Sequence, residues 1–171
     1  VRSRRQRQMC IRDRFTIGIS EKQIIEDKTK NPPFIKTDRG GKTTFHAPGQ
    51  LVFYFILHMK KLPFPPTELT KKILETTSLA LSSYDLKHEI NAHDPGIFLN
   101  NEKVASIGMR IKKNYSYHGL SINIDTDLDT FNSIKPCGLD VQACNLKDYI
   151  DINVDNFKKD LLNKFQRMLD K

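Results

Sequence analysis

A glycine-rich segment directly before a long apolar run constrains this chain more than any other feature. Residues 38–50 hold three of the eight glycines of the protein, and residues 51–57 are all apolar or aromatic. Glycine permits left-handed backbone angles and lets the main chain approach a ligand closely, so Gly40 and Gly41 predict a tight loop whose amides face outward. A plain hairpin turn is the alternative, because paired glycines often mark turns. The apolar run predicts a strand that is covered on both faces.

The remaining glycines are also clustered, which favours functional loops over isolated turns. Besides residues 38–50, three short motifs contain glycine, namely Lys-Val-Ala-Ser-Ile-Gly at 103–108, Tyr-His-Gly-Leu-Ser-Ile-Asn at 117–123 and Lys-Pro-Cys-Gly-Leu at 135–139. Only Gly18 and Gly96 lie outside these four segments.

Hydrophobic periodicity predicts an α+β protein. Helical spacing appears in two places, at Leu69, Ile73, Thr77, Leu81 and Tyr84, where the helix is predicted to end near Asp85, and at Phe157, Leu161, Phe165 and Leu169. Strands are predicted at 89–91, 97–99, 104–111 and 117–124, separated by turns at 94–96, 100–102 and 112–114, with a short helix at 129–131. Strands in runs, with helices between and after them, favour α+β over a doubly wound parallel sheet.

The net charge of +8 is concentrated at the start of the chain. Residues 1–14 contain six arginines and one aspartate, so the remainder carries only +3. Because this start has no apolar periodicity, it fits neither an amphipathic transit peptide nor a packed element. We expect residues 1–14 to be a foreign or disordered leader, and residues 15–171 to form a single domain.

Several classes of protein are disfavoured by composition. No run approaches the roughly 18 apolar residues of a membrane span, and no signal-peptide region is visible, so a cytoplasmic protein is expected. Three cysteines without paired spacing indicate reduced thiols. The five histidines and the cysteines show no zinc-ligand spacing, and no metal is expected.

Taken in order, the four motifs resemble the octanoyltransferase family, also called lipoyl(octanoyl) transferase or lipoate-protein ligase B. The resemblance runs from about Phe15 to Leu146 and rests on Arg-Gly-Gly with Thr, His and Pro-Gly-Gln, on Lys-Val-Ala-Ser-Ile-Gly, on Tyr-His-Gly-Leu and on Pro-Cys-Gly-Leu. It implies the fold of biotin and lipoate protein ligases, a mixed, mostly antiparallel sheet flanked by helices. Members normally carry a further strand and helix before the Thr-x-Gly that residues 16–18 resemble, and these are expected to be missing here.

The resemblance also implies a catalytic pair. A lone cysteine is more often structural than catalytic, but in this family the cysteine of the Pro-Cys-Gly motif, here Cys137, carries the acyl group. Its partner is the lysine of the Lys-x-Ala-x-x-Gly motif, here Lys103. The thiolate is the nucleophile, and a free thiol has a pKa near 8.5, so a nearby ammonium makes attack feasible at neutral pH.

Substrate contacts and partners are implied in the same way. The substrate-binding residues are expected to be Arg39, Gly40, Gly41, Lys42, Thr43, Thr44, Phe45, His46, Ser106, Ile107, Gly108, Gly119, Leu120 and Ser121, with His118 shaping the pocket. The family often has tyrosine and glycine where Phe45 and Ala47 stand. The implied partners are octanoyl-acyl carrier protein, whose phosphopantetheine carries the donor, and the lipoyl domains of 2-oxoacid dehydrogenase complexes and the glycine cleavage H protein. No other cofactor, nucleic acid or membrane is expected, and a monomer is the default.

Two other functions stay open at this point. An ATP-dependent lipoate-protein ligase on the same fold would adenylate a free acid and would not need Cys137. The arginine-rich leader suggests a basic binding module or an inactive remnant, and nucleic-acid binding driven by charge alone would be lost on removal of residues 1–14. The chain has no phosphate loop of the Gly-x-x-x-x-Gly-Lys-Ser/Thr kind, which agrees with transfer that needs no ATP.

Overall fold

The computed structural model describes residues 13–22, 26–91, 93–133 and 141–170. It contains eight strands, and these are β1 (Arg14–Ile17), β2 (Phe34–Lys36), β3 (Thr44–His46), β4 (Gln50–Tyr54), β5 (Glu89–Asn91), β6 (Gly96–Leu99), β7 (Glu102–Lys112) and β8 (Tyr115–Asn123). The α-helices are α1 (Leu69–Ser82), α2 (Leu128–Asn132) and α3 (Val154–Leu169). The helices found among these residues are too short or too polar to span a lipid bilayer.

The larger sheet has five antiparallel strands in the order β4-β8-β7-β6-β5. Its hairpins turn where the sequence predicts them. Asn100 and Asn101 connect β6 to β7, and Lys113 and Asn114 connect β7 to β8, all four with positive φ. Two consecutive left-handed residues match the right-handed twist of the flanking strands, which explains the asparagines at these turns.

Helices α1 and α3 cover one face of this sheet and form the main core. Ile73 and Leu81 on α1, and Leu161 on α3, are fully buried. The ring of Phe165 meets Phe53 and Phe55 edge-on, with centroids 5.5 and 5.0 Å apart. The helical periodicity read from the sequence is therefore confirmed at Ile73, Leu81, Leu161 and Phe165, which are buried. Helix α1 ends at Ser82, before Tyr84 and the predicted end near Asp85, and Leu169 of α3 is only partly buried.

The apolar run at 51–57 differs from the prediction of a strand that is covered on both faces. Phe53 and Phe55 are buried, but Tyr54 is 46% exposed and Ile56 is 73% exposed. The strand is not covered on both faces, because β4 lies at the edge of an antiparallel sheet whose helices pack on one side only. Successive residues of a strand point to opposite faces, so the run alternates between core and surface despite its uniform composition.

A second, smaller sheet has the order β2-β1-β3, in which β1 is parallel to β2 and antiparallel to β3. It encloses a separate core whose members are all apolar, namely Phe15, Phe45, Ala47, Phe131 and Ala143. Strand β1 begins at Arg14, which pairs with His46 on β3. With both sheets and the flanking helices, the α+β architecture with a mixed, mostly antiparallel arrangement is confirmed.

Candidate active site

Lys103 is buried at the start of β7, and its ammonium is paired with a carboxylate. The Nζ atom lies 2.7 Å from Oδ2 of Asp94, and the two side chains are only 6% and 11% exposed. The ammonium also lies over the ring of Phe98, 5.4 Å from its centroid. A buried lysine is uncommon, and a buried charge has to be paired. The surroundings of Lys103 therefore suit an ammonium group. Composition alone would have suggested an exposed lysine in a turn.

The backbone of Lys103 is joined to the segment that follows the Pro-Cys-Gly motif. Its N–H donates to the carbonyl of Gln142 at 2.8 Å, and its carbonyl accepts from the N–H of Cys144 at 3.2 Å. On the other side of the motif, Oδ1 of Asn132 accepts from the N–H of Ala143 at 2.9 Å. Cys137 itself lies outside the described residues, so its predicted pairing with Lys103 stays a prediction.

Arg39 in the glycine-rich loop is engaged by the protein itself. Its Nε donates to Oγ1 of Thr16 at 3.0 Å, its guanidinium also donates to the Thr16 carbonyl, and a third bond reaches the carbonyl of Gly40 at 3.0 Å. These bonds fasten the loop to β1. The predicted contact of Arg39 with substrate is not tested by this geometry, but its structural role was missed by the sequence analysis.

Glycine is favoured at positions 40 and 41 for two different structural reasons. The N–H of Gly40 donates to the carbonyl of Met109 at 3.2 Å, and a Cβ at this position would lie 2.8 Å from the same oxygen. Its amide therefore faces β7, and the prediction that both amides face outward is wrong for Gly40. Gly41 has φ +83°, a left-handed conformation that favours glycine.

Strand register places small side chains from two motifs on one face of the larger sheet. Ser106 is opposite Ser121, and Gly108 is opposite Gly119. Directly opposite residues of an antiparallel pair share a face, and this is the face against which the loop at Gly40 packs. Four of the predicted substrate-binding residues are thus brought together beside the glycine-rich loop.

Three other predicted contacts belong to hydrophobic cores. Leu120 is fully buried in the core covered by the helices, and Ile107, opposite it in register, packs against the same core. Phe45 is 1% exposed and packs against Phe15 and Phe131 in the smaller core. The side chains of these three residues contribute to the cores, and their predicted contact with a substrate stays a prediction.

His118 and Tyr117 both bind Asp38, at the entrance to the glycine-rich loop. Nε2 of His118 lies 2.8 Å from Oδ1 of Asp38, and the Tyr117 hydroxyl donates to Oδ2 at 2.7 Å. These bonds, from His118 first and Tyr117 second, hold the pKa of Asp38 below its usual value. Asp38 was not among the predicted site residues; the only sequence signal was its position directly before Arg-Gly-Gly.

The remaining loop residues lie in a polar network between the two sheets. His46 donates from Nδ1 to Oε1 of Gln50 at 3.1 Å, and Gln50 donates to Oδ1 of Asn123 at 2.9 Å. Burial is the main cause that lowers the pKa of His46 to about 4, so its ring is neutral near pH 7. Thr43 and Thr44 are buried while Lys42 is partly exposed, which makes Lys42 the more accessible of the three.

Cys144 is the one cysteine among the described residues, and its surroundings make it unreactive. The thiol is buried at 2% exposure and donates weakly to the Glu102 carbonyl at 3.6 Å. Burial, followed by the charges of Glu102 and Asp148, raises its pKa to about 12. Within the described ranges, no group of three or more histidine, cysteine or acidic side chains is arranged to hold a metal ion.

Comparison with solved structures supports the fold. A lipoate-protein ligase A bound with ATP aligns with a TM-score of 0.73 over 92% of this chain and 69% of that chain, at 18% sequence identity. The biotin protein ligase from Aquifex aeolicus aligns with a TM-score of 0.57 over 73% of this chain and 54% of that chain, at 19% identity. The predicted biotin and lipoate ligase fold is therefore confirmed.

Comparison of sequences goes further than the fold. The model of the lipoyl protein ligase A/B catalytic domain matches residues 14–166. An octanoyltransferase of Saccharophagus degradans is 38% identical over 80% of this chain, and an octanoyltransferase of Buchnera aphidicola subsp. Schizaphis graminum is 33% identical over 91% of it. The chain spans 64% of the first relative and 74% of the second. The family inferred from the four motifs is confirmed, and the chain belongs to the octanoyltransferase family, within the group that shares the lipoyl protein ligase A/B catalytic domain.

Proposed function

We propose that this protein transfers an octanoyl group from octanoyl-acyl carrier protein to a lysine of apo lipoyl domains, through a thioester on Cys137. The observation that carries the proposal is the buried ammonium of Lys103, because its strand is hydrogen-bonded to Gln142 and Cys144, which lie four and six residues after Gly138 of the Pro-Cys-Gly motif. Further support comes from the names of the relatives, which are octanoyltransferases.

In the first step, the thiolate of Cys137 attacks the carbonyl carbon of the octanoyl thioester. The new carbon–sulfur bond forms as the bond to the phosphopantetheine sulfur breaks, and that sulfur leaves as a thiolate which takes up a proton. The ammonium of Lys103 favours the thiolate of Cys137 before attack and can donate a hydrogen bond or a proton to the departing sulfur.

In the second step, the amine of the acceptor lysine attacks the octanoyl-enzyme. An amide bond forms, the bond to the Cys137 sulfur breaks, and the proton lost by the amine returns to the thiolate. Exchange of a thioester for an amide runs downhill, so no ATP is consumed. Splitting one transfer into two steps is the usual advantage of a covalent intermediate.

The small-residue face is the part of the domain that best suits the acyl chain. We place the acyl chain beside Ser106 and Ser121, which are opposite each other in register. A Cβ on Gly108 would meet the carbonyl oxygen of Gly40, and one on Gly119 would meet that of Phe53, so these two glycines allow the backbone to pack closely around the site. Burying the methylenes of an octanoyl chain contributes about 0.8 kcal/mol each when the surface that receives them is dry. The same proposal includes a cytoplasmic monomer that needs no metal or further cofactor.

An ATP-dependent lipoate ligase is the second candidate, since a lipoate-protein ligase A bound with ATP has the same fold. Sequence identity favours the octanoyltransferase over the ligase. This chain is 18% identical to that ligase and 33–38% identical to the octanoyltransferases over most of its length. A similar fold at 18% sequence identity does not imply that the two proteins catalyse the same reaction.

The test is the intact mass of the protein after incubation with octanoyl-acyl carrier protein in the absence of ATP. We expect a gain of one octanoyl group that hydroxylamine removes, and transfer of that group to an apo lipoyl domain added later. Cys137→Ser should show no gain, whereas Cys144→Ser, which changes a buried and unreactive thiol, should behave as the wild type.

Other results would favour the alternatives. Modification of the lipoyl domain only when ATP and free octanoate or lipoate are supplied would support the ligase. A folded protein that is acylated under neither condition would contradict both activities and would leave the inactive remnant as the better account.

A further inference from the structure

The strongest unassigned feature of the site is the carboxylate of Asp94 beside Lys103. Its Oδ2 lies 2.7 Å from Nζ, in a pair whose side chains are 6% and 11% exposed. Three other ion pairs join exposed or partly exposed groups within a single turn of helix, at Lys71–Glu75, Lys72–Glu75 and Lys164–Asp160. The Asp94 pair is instead buried and joins the turn before β6 to the first residues of β7.

The turn itself fixes the position of Asp94. The backbone N–H of Asp94 donates to Oδ1 of Asn91 at 3.1 Å, and that same oxygen accepts from the N–H of His93 at 2.8 Å. Pro95 follows directly, and its ring restricts the backbone angles of Asp94 as well as its own. The carboxylate is therefore presented by a constrained turn and not by a flexible loop.

Gly96 provides the space in which the lysine side chain lies. A Cβ on Gly96 would stand 2.5 Å from Cε of Lys103 and 3.3 Å from Nζ. The side chain thus crosses directly over the glycine backbone, and the centroid of the Phe98 ring lies 5.4 Å from Nζ. Carboxylate, glycine and ring together define one position for the ammonium.

We propose that Asp94 is a positioning residue that holds the ammonium of Lys103 oriented for the acyl transfer at Cys137. This inference rests on the proposed function, because it assigns to Asp94 an effect that passes through Lys103. A carboxylate in contact with a buried ammonium offsets the loss of its hydration and fixes the direction of its N–H groups. Without Asp94, Lys103 remains buried but loses this carboxylate and the orientation that it imposes.

The experiment follows single-turnover octanoylation of Cys137 by intact mass over a range of octanoyl-acyl carrier protein concentrations. Asp94→Asn removes the charge and keeps the shape. We expect its maximal acylation rate to fall about tenfold or more, with little change in the half-saturating concentration, because a group that acts on the reacting atoms affects the chemical step. Asp125→Asn is the matched control, since Asp125 also lies 2.7 Å from a lysine, Lys147, in an exposed pair; its rate should stay within about twofold of the wild type.

A double-mutant cycle separates positioning from a structural role. If Asp94 acts through Lys103, then Asp94→Asn should lower the rate strongly in the wild type but by no more than about threefold when Lys103→Met is already present. An equal loss in both backgrounds would contradict the inference, and so would a wild-type rate for Asp94→Asn.

Asp94→Glu is the second variant, to be used if Asp94→Asn does not fold because the negative charge beside Lys103 is missing. It retains the carboxylate but extends it by one methylene, so it should fold and lose maximal rate because the ammonium is displaced; an unchanged rate would overturn the positioning role. Absence of an octanoyl adduct on folded wild-type protein contradicts the proposed function and the role of Asp94 together. A wild-type adduct with an unaffected Asp94→Asn contradicts the role of Asp94 alone.

Discussion

His118 reaches Asp38 across 80 positions of sequence, with Nε2 2.8 Å from Oδ1, although it stands within a strand at φ +66°. A left-handed residue in the middle of β8 is uncommon for anything but glycine. Backbone conformations of this kind persist where the surrounding structure holds them, and here Tyr117 and Gly119 flank the residue. The bond joins the strand of the Tyr-His-Gly motif to the loop of the Arg-Gly-Gly motif.

Asp38→Asn should reduce stability in a manner that depends on pH. Hydrogen bonds from His118 and Tyr117 hold the pKa of Asp38 below its usual value. A depressed carboxyl pKa contributes stability above the unfolded pKa, which is about 3.9 for aspartate, and that contribution is lost as the pH falls through the folded pKa. Unfolding midpoints measured by thermal denaturation should therefore differ most between the two proteins at neutral pH and converge below about pH 4. A difference that is constant with pH would contradict the prediction.

His46 should destabilise the protein as the pH falls below about 6.5. Burial lowers the pKa of His46 to about 4, so between these values the unfolded chain binds a proton that the folded chain excludes. The free energy of unfolding should drop by about 2 kcal/mol over this range, less than the full shift implies because the ring is only partly buried. Denaturant titration at a series of pH values measures it. His46→Asn should lose this drop, and His93→Asn, which changes an exposed ring, should retain it.

Cys144 should resist alkylation in the native protein. Burial raises its pKa to about 12, so the thiolate that reacts with iodoacetamide is scarce at pH 8, and the side chain is also inaccessible. Peptide mapping after brief treatment at pH 8 should show Cys144 unmodified in the folded state and fully modified in denaturant. Labelling of Cys144 at equal rates in both states would contradict its burial.

Gly119→Ala should destabilise the domain by about 3 kcal/mol, as expected for forced overpacking. A Cβ at this position would lie 1.7 Å from the carbonyl oxygen of Phe53, a backbone atom that moves only if β4 separates from β8. Ser121→Ala, two residues along the same strand face, adds no atoms and should change the free energy of unfolding by less than about 1 kcal/mol. Chemical denaturation of both variants provides the comparison, and equal effects would contradict the close contact.

Local sequence patterns were sufficient to predict the helices and hairpin turns around the larger sheet. The apolar repeat through Phe157, Leu161 and Phe165 predicts α3, and all three residues are buried against the sheet. The short helix at 129–131 lies within α2, where the side chain of Asp127 accepts from the first backbone N–H groups. Helical faces and hairpin turns depend on residues close in sequence, so their signals survive without tertiary information.

The smaller sheet shows where such patterns fail. Strands β2 and β3 have three residues each, too short for alternation to be recognised, and none of the three strands was predicted. Strand β4 was predicted but given the wrong environment, since its uniform apolar composition does not reveal that Tyr54 faces solvent. Which face of a strand is covered depends on where helices pack, and that is decided by distant parts of the chain.

The sequence by itself determined the family, the α+β class and the choice of Lys103 and the glycine motifs as candidate site residues. Ordered motifs and local periodicity are properties of neighbouring residues, so they can be recognised without the tertiary structure. Only the tertiary structure decided that Asp94 meets Lys103, that Asp38 meets His118, and that Ile107 and Leu120 belong to the core while Ser106 and Ser121 lie on the opposite face. These relationships depend on strand register, in which a shift of one residue moves every side chain to the other face.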